Sequence, residues 1–291
     1  MMPPSLILAA VDFSAASLTA LSFAARLAKH SQADLRVLHV EDPLLSAAAS
    51  EQGIHLASET RDELARLIDR VPDAVGLSPQ SYVVTGHAIE VILDISTREG
   101  ADLIVVASHG MSGVERAFFG SVTEGLLHRT DRSLLVVPAE WRVPAERSGG
   151  GGIGPFIVGL DFSSSSVSAA GAACRLAELF SSSVELLHVV PDLPVLERWR
   201  PHADAATAER VDLARRDIAR VAGNLQTQVS VTSRVETGSV AERLSEIAAP
   251  WGERQPVIVL GKRAADRGGA PGTTAFRVLT LARAPVLMHV V

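Results

Sequence analysis

An aspartate follows each of two apolar segments in this 291-residue chain, in nearly the same five-residue context. Ala10-Val11-Asp12-Phe13-Ser14 recurs 149 residues later as Gly159-Leu160-Asp161-Phe162-Ser163. A carboxylate at such a point can bind a ribose hydroxyl or a Mg²⁺ ion, and it can also cap the helix that follows. The residues alone leave both roles open for Asp12 and Asp161.

A glycine-containing segment in the first half of the chain could hold an anion. Ala107 is followed after two residues by Gly110, and after nine more by the pair Gly120-Ser121. Glycines let the backbone approach a phosphate closely, and the N-terminus of a helix beginning at Ser121 favours negative charge. His109 lies in this segment, where it either contacts a phosphate or remains a solvated loop residue.

The corresponding segment of the second half is altered. It retains Gly261 and the pair Gly272-Thr273, but Ala264 replaces the middle glycine and the segment is two residues shorter. Lys262, one of only two lysines in the chain, lies there and could supply a point charge instead. The first half is therefore the better candidate for an anion site.

These paired motifs indicate duplication of a whole domain. Leu38-His39-Val40 recurs as Leu187-His188-Val189 at the same offset of 149 residues. Thr85-Gly86 recurs as Thr237-Gly238 at an offset of 152 residues, so the spacing changes only in the loops. We predict domains over residues 1–142 and 155–291.

A flexible Gly-rich linker over residues 143–154 is predicted between the two copies. Each copy is long enough to bury its own core. Continuous apolar runs alternate with segments of helical periodicity. In the first copy, strands are predicted over residues 6–11, 35–40, 80–85, 103–107 and 134–137. In the second copy, strands are predicted over residues 156–160, 184–189, 228–235, 257–261 and 286–290. Helices of the first copy are predicted from Ser14 to about His30 and over residues 59–71, 87–98 and 121–129, with Ser121 as the cap of the last.

The alternation of strands and helices predicts an α/β fold. We expect two tandem doubly wound sheets of five parallel strands, in the order 3-2-1-4-5, with helices on both faces. In such sheets ligands bind beyond the carboxyl ends of the strands, where the strand order reverses. Asp12, Val40 and the glycine-containing segment that follows the fourth strand would meet there.

Composition and charge exclude several classes of protein. The net charge is −6. Residues 1–148 include 12 basic and 19 acidic residues, and residues 149–291 include 15 basic and 14 acidic residues. Neither half has the basic stripe that nucleic acid binding requires. No apolar run reaches the roughly 18 residues of a membrane span, so a soluble, cytoplasmic protein is expected. Cys174 is the only cysteine, which excludes an intrachain disulfide and a cysteine metal cluster.

The chain resembles the universal stress protein family in its tandem form. ATP-binding members carry G-x2-G-x9-G-(S/T) after the fourth strand, and the segment from Ala107 to Ser121 matches it at all but the first position. The resemblance implies that Asp12 faces ribose or metal, that the Val40 backbone faces adenine, and that phosphates lie near His109 and the glycine segment. The site residues it implies are Asp12, Val40, His109, Gly110, Gly120 and Ser121 in the first copy, and Asp161, Val189, Gly261, Gly272 and Thr273 in the second.

The resemblance also implies a function. The implied function is that of a stress-response regulator that binds ATP, with or without Mg²⁺. The resemblance further implies homo-oligomers formed through the last strands and an unidentified signalling protein as partner. Two alternatives stay open: an interaction scaffold that binds no nucleotide, and a weak ATPase. The sequence has no evident general base and no G-x4-G-K-(S/T) loop, so at most slow hydrolysis is expected.

Overall fold

The computed structural model describes residues 3–54, 56–109, 120–144, 152–193, 200–249, 255–262 and 273–291. The chain divides into two compact units, with the division between Val143 and Pro144. The predicted linker falls largely on residues 145–151, which lie outside the described residues, and it therefore remains a prediction. Each unit is described by itself.

The first unit alternates strands with helices. Its strands are β1 (Leu6–Val11), β2 (Asp34–Glu41), β3 (Gln80–Thr85), β4 (Leu103–Ala107) and β5 (Ser133–Val137). Its helices are α1 (Ala15–Ser31), α2 (Pro43–Glu51), α3 (Leu56–Asp69), α4 (Ala88–Arg98) and α5 (Ser121–Arg129), with a short 3-10 helix over Pro72–Ala74. Every predicted strand and helix of this unit is found.

All strand pairs of the first unit are parallel, and β1 lies between β2 and β4. The strand β3 pairs with β2 and β5 with β4, which gives the order β3-β2-β1-β4-β5. Ile7 and Leu8 on β1 are fully buried because a central parallel strand is covered on both faces. The predicted α/β class is confirmed.

Helix α2 is the element that the periodicity did not predict. It begins after Asp42, whose side chain accepts a hydrogen bond from the Leu44 N–H. None of its residues is buried, and Leu44 is 82% exposed. A helix without an apolar face against the core has no periodic signal, which explains why the sequence did not reveal it.

The second unit repeats the arrangement. Its strands are β6 (Phe156–Gly159), β7 (Val184–Val190), β8 (Val231–Thr237), β9 (Val257–Lys262) and β10 (Val286–Val290). Its helices are α6 (Ser164–Leu179), α7 (Arg200–Asn224), α8 (Val240–Ile247) and α9 (Thr273–Leu281). The parallel pairs give the order β10-β9-β6-β7-β8, in which β6 occupies the place of β1.

The limits of β8 differ from the predicted 228–235. The strand begins at Val231, which pairs with Val184, the first residue of β7. Before it, the Thr227 hydroxyl accepts a hydrogen bond from the Val229 N–H and donates to Glu178, so these residues form a turn. Among the described residues, no helix has the length and apolarity to cross a membrane.

Candidate functional site

A cavity of about 590 Å³ opens at the carboxyl ends of β1, β2 and β4 in the first unit. This is the place where the strand order reverses, and its volume is within the range of small-molecule sites. Helices α2, α3 and α4 and the N-terminus of α5 complete the wall. The lining includes the predicted site residues Asp12, Val40, His109, Gly120 and Ser121. Gly110 lies outside the described residues.

Asp12 both forms the turn after β1 and lines the cavity. Its Oδ1 accepts hydrogen bonds from the Ser14 N–H at 3.1 Å and from the Ser14 hydroxyl at 2.6 Å. Ser14, not Asp12, is the N-cap of α1, and its hydroxyl oxygen accepts from the Ser17 N–H. Asp12 is therefore not the cap of α1; its carboxylate orders the capping residue Ser14 and also lines the cavity.

Phe13 adopts a left-handed backbone conformation with φ of 64°. Such a conformation is unusual for a bulky residue, and strain of this kind is concentrated at functional sites. The Phe13 ring lies 4.4 Å from the His39 ring, and the His39 Nδ1 is 2.8 Å from the Val11 carbonyl oxygen. Both rings line the cavity beside Val40. His39 therefore packs against the end of β1 and forms part of the cavity wall.

His109 begins the segment after β4. Its Nδ1 lies 2.9 Å from the hydroxyl of the buried Ser108. Its Nε2 is shielded from solvent and has no hydrogen-bond partner among the described residues. If the Ser108 hydroxyl donates to Nδ1, Nε2 carries the proton and can donate to a ligand oxygen.

Helix α5 presents an uncapped N-terminus to the cavity. Its N-cap is Gly120, with no side-chain cap hydrogen bond, so the prediction that Ser121 caps this helix is wrong. Ser121 is instead the first helical residue, and its side chain is exposed. The Gly120 N–H donates to the Ser108 carbonyl, and the Thr123 hydroxyl donates to the Ala107 carbonyl, which hold the helix against β4. Because no side chain occupies the first N–H groups, an anion can bind them.

The described wall of the cavity is acidic. It contains three carboxylates, those of Asp12, Glu41 and Asp42, while its described residues include no lysine or arginine. To the same cavity α5 contributes the positive end of its helix dipole. No group of three or more metal-ligating side chains occurs among the described residues. A metal would therefore need oxygens from the ligand as well as from the protein.

The second unit repeats the turn after its first strand. The Asp161 Oδ1 accepts from the Ser163 N–H at 3.0 Å and from the Ser163 hydroxyl at 2.6 Å. Burial raises the pKa of the Asp161 carboxyl, but hydrogen bonds from Ser163 and Ser166 outweigh it and leave this pKa below its usual value. Phe162, with φ of 63°, stacks on His188 at 4.5 Å.

The remaining predicted residues of the second unit are less accessible. Val189, the counterpart of Val40, is buried. Lys262 is the last residue of β9 and is buried, whereas the sequence placed it in the following loop. Gly261 lies against the first turn of α6, where a Cβ atom would overlap the Ser165 backbone.

Gly272 lies outside the described residues. Thr273 is the first residue of α9. The glycine segment of the second unit is thus described only at its two ends.

Comparison with known proteins gives a consistent result. The model of the universal stress protein family matches residues 5–138 and again residues 153–289. A universal stress protein of Mycolicibacterium smegmatis is 26% identical over 301 aligned residues, which cover 97% of this chain and 96% of the relative. The universal stress protein YxiE of Bacillus subtilis is 30% identical over 142 residues, covering 45% of this chain and 96% of the relative.

A solved structure shares the fold over its full length. The universal stress protein from Archaeoglobus fulgidus superimposes with a TM-score of 0.64 at 20% identity, covering 98% of both chains. The double match of the family model accounts for the repeated motifs described above. The chain belongs to the universal stress protein family and carries two of its domains in tandem.

Proposed function

We propose that the first unit binds ATP together with Mg²⁺ and that the bound nucleotide regulates a stress-response interaction. The observation that supports this most is the uncapped N-terminus of α5, which lines the same cavity as the Asp12 carboxylate. A triphosphate fits the helix end, and a ribose or a metal ion fits the carboxylate. The family motif from Ala107 to Ser121 points to the same ligand.

Each residue of this site has a distinct task in binding. The N–H groups of Ser121 and Val122 hold phosphate oxygens, and His109 Nε2 donates a further hydrogen bond when its Nδ1 accepts from Ser108. The Asp12 carboxylate contacts the ribose or the Mg²⁺ ion. The backbone of Val40 lies beside the base. When bound, Mg²⁺ neutralises part of the phosphate charge.

Mg²⁺ is expected to be required for tight ATP binding. Three carboxylates line the cavity without a described lysine or arginine, so metal-free ATP meets repulsion from Asp12 and its neighbours. Removing Mg²⁺ with EDTA should weaken binding at least tenfold, or about 1.4 kcal/mol, in titration calorimetry. Equal affinities with and without Mg²⁺ would show that Asp12 holds no metal and faces the ribose only.

The proposed site is tested by a charge placed at the α5 N-terminus. In Ser121→Glu, an acidic residue in the first turn favours the helix but repels a phosphate. ATP binding is expected to weaken by about 30-fold, or about 2 kcal/mol, in the same calorimetric titration. Ser78→Glu is the matched control, because Ser78 is exposed and precedes β3 at the opposite edge of the sheet. Unchanged binding in Ser121→Glu would show that phosphates do not bind α5.

A complementary measurement identifies what the purified chain carries. Protein is denatured directly after purification, and any released nucleotide is identified by chromatography. One ATP molecule per chain would agree with a working site in the first unit alone. Two ATP molecules per chain would indicate a second working site, at Asp161 in the second unit. A protein that is purified empty and binds no added Mg-ATP would contradict the proposal and favour an interaction scaffold.

Homo-oligomers through the last strands, a signalling partner and a cytoplasmic location remain predictions.

A further inference from the structure

Glu41, the last residue of β2, is a buried carboxylate that lines the cavity next to Val40. Its residue exposure is only 4%. Its Oε2 accepts hydrogen bonds from the Ser46 hydroxyl at 3.0 Å and from the Thr85 hydroxyl at 3.3 Å. Its Oε1 is shielded from solvent and has no hydrogen-bond partner among the described residues.

A carboxylate oxygen without a donor is unfavourable in a buried place, since it has lost water without replacing it. The Ser46 and Thr85 hydroxyls both donate to the other oxygen, so they orient the carboxylate and leave Oε1 as a vacant acceptor. An occupant that carries an N–H donor would satisfy Oε1. An occupant that carries a carbonyl at the same point would be repelled.

The surroundings of Glu41 suit a planar base. Leu45 and Leu56 provide apolar surface in the same wall, and the Phe13 ring lies on the neighbouring strand end. Leu45 belongs to α2, which has no buried residue. A helix that contributes so little to the core can adjust locally, so a base that enters beside Leu45 can reach Oε1 while the Ser46 hydroxyl of the same helix keeps its bond to Oε2.

We infer that Glu41 selects the base, with Oε1 accepting a hydrogen bond from an exocyclic amine. The site then prefers adenine, which has an amino group at C6, to hypoxanthine, which has a carbonyl there. This inference rests on the proposed function and adds a specificity-determining residue to it. Sites that hydrogen-bond a polar group of the ligand discriminate strongly against analogues that lack it, because the protein group is left unpaired.

The test compares Mg-ATP with Mg-ITP, whose bases differ in the C6 substituent and in the proton that hypoxanthine carries on N1, by calorimetric titration of the full chain. The wild-type protein is expected to bind ATP at least about 100-fold more tightly than ITP. In Glu41→Gln, the Ser46 and Thr85 hydroxyls donate to the amide oxygen, so the amide NH₂ group takes the place of Oε1. ATP should then bind more weakly and ITP more tightly, and the preference should fall by at least about 100-fold.

Glu51→Gln is the matched control, because Glu51, the last residue of α2, is exposed and does not line the cavity. It should leave both affinities unchanged. If Glu41→Gln merely loosened the site, the affinities for ATP and ITP would both decrease. If Glu41 selects the base, the affinity for ATP decreases and the affinity for ITP increases. Thermal unfolding of each variant checks that the fold is retained.

The outcomes separate this inference from the function on which it depends. Wild-type protein that binds neither nucleotide contradicts the proposed function and the inference together. Wild-type protein that binds ATP and ITP equally retains the proposed function and overturns the role of Glu41. An unchanged ATP preference in a folded Glu41→Gln variant overturns that role as well. If this variant does not fold, the ratio of the ATP and ITP affinities of the wild-type protein decides whether the site selects the base.

Discussion

Replacing Asp73 by alanine is expected to lower the free energy of unfolding of the first unit by about 3–5 kcal/mol. Asp73 lies in the 3-10 helix after α3, and its Oδ2 is 2.8 Å from the Arg26 guanidinium of α1. Both side chains are less than a tenth exposed, and Lys29 lies 4.0 Å from the other carboxylate oxygen. Removing the carboxylate takes this opposite charge away from two cationic groups, one of them buried, and that loss is costly.

Hydrogen exchange resolved by peptide measures this effect in each unit separately. Peptides of α1 and β1 should lose protection in Asp73→Ala, and peptides of the second unit should change little. Glu63→Gln is the surface control, because the Glu63–Arg66 pair is about half exposed and should contribute less than about 1 kcal/mol. The double variant Arg26→Met with Asp73→Leu should recover most of the loss, since an apolar pair replaces a buried ion pair at little cost. A loss below about 1 kcal/mol in Asp73→Ala would show that Arg26 does not depend on this carboxylate.

Replacing Gly261 by alanine is expected to destabilise the second unit by about 1–3 kcal/mol. A Cβ atom there would overlap the Ser165 carbonyl group and lie 2.5 Å from the Ser166 nitrogen. These are backbone atoms in the first turn of α6, so they can move only if the whole helix shifts away from β9. The corresponding position of the first unit is Ala107, so the first unit carries a methyl group at this position.

Gly223→Ala is expected to stabilise the second unit, in contrast to Gly261→Ala. Gly223 lies in α7, and a Cβ added there meets no atom within 4 Å. Alanine in an open helical position should stabilise by about 0.5–1 kcal/mol. Peptide-resolved hydrogen exchange of α6 and β9 is again the measurement. If Gly261→Ala were as stable as the wild type, α6 would not be in close contact with β9. A role for Gly261 in ligand binding would then be the better explanation of this glycine.

The sequence alone predicted the strands because buried parallel strands are continuous apolar runs. Leu103–Ala107 and Leu6–Val11 are such runs and are found with the predicted limits. The repeated Asp12 and Asp161 motifs likewise identified the turns after the first strand of each unit. Local composition was sufficient here, since each feature depends on residues that are adjacent in the chain.

Local composition was not sufficient where partners come from distant parts of the chain. The sequence analysis did not single out Glu41, because only the fold brings Ser46 and Thr85 to one of its oxygens. Arg26 and Asp73 are 47 positions apart, and nothing in their neighbours indicates a buried pair.

The same limit applies to the ends of elements and to glycines. Ser121 is a favourable cap by residue type, but the backbone places Gly120 at the cap, and this leaves the α5 N–H groups available to a ligand. Gly261 matches a phosphate-binding pattern, whereas its contact with the Ser165 backbone gives it a packing role. The sequence by itself determined the family, the duplication and the order of elements, because these follow from short-range patterns. Tertiary structure alone decided which polar atoms are buried and which lack a partner, since burial and pairing depend on elements that meet only after folding.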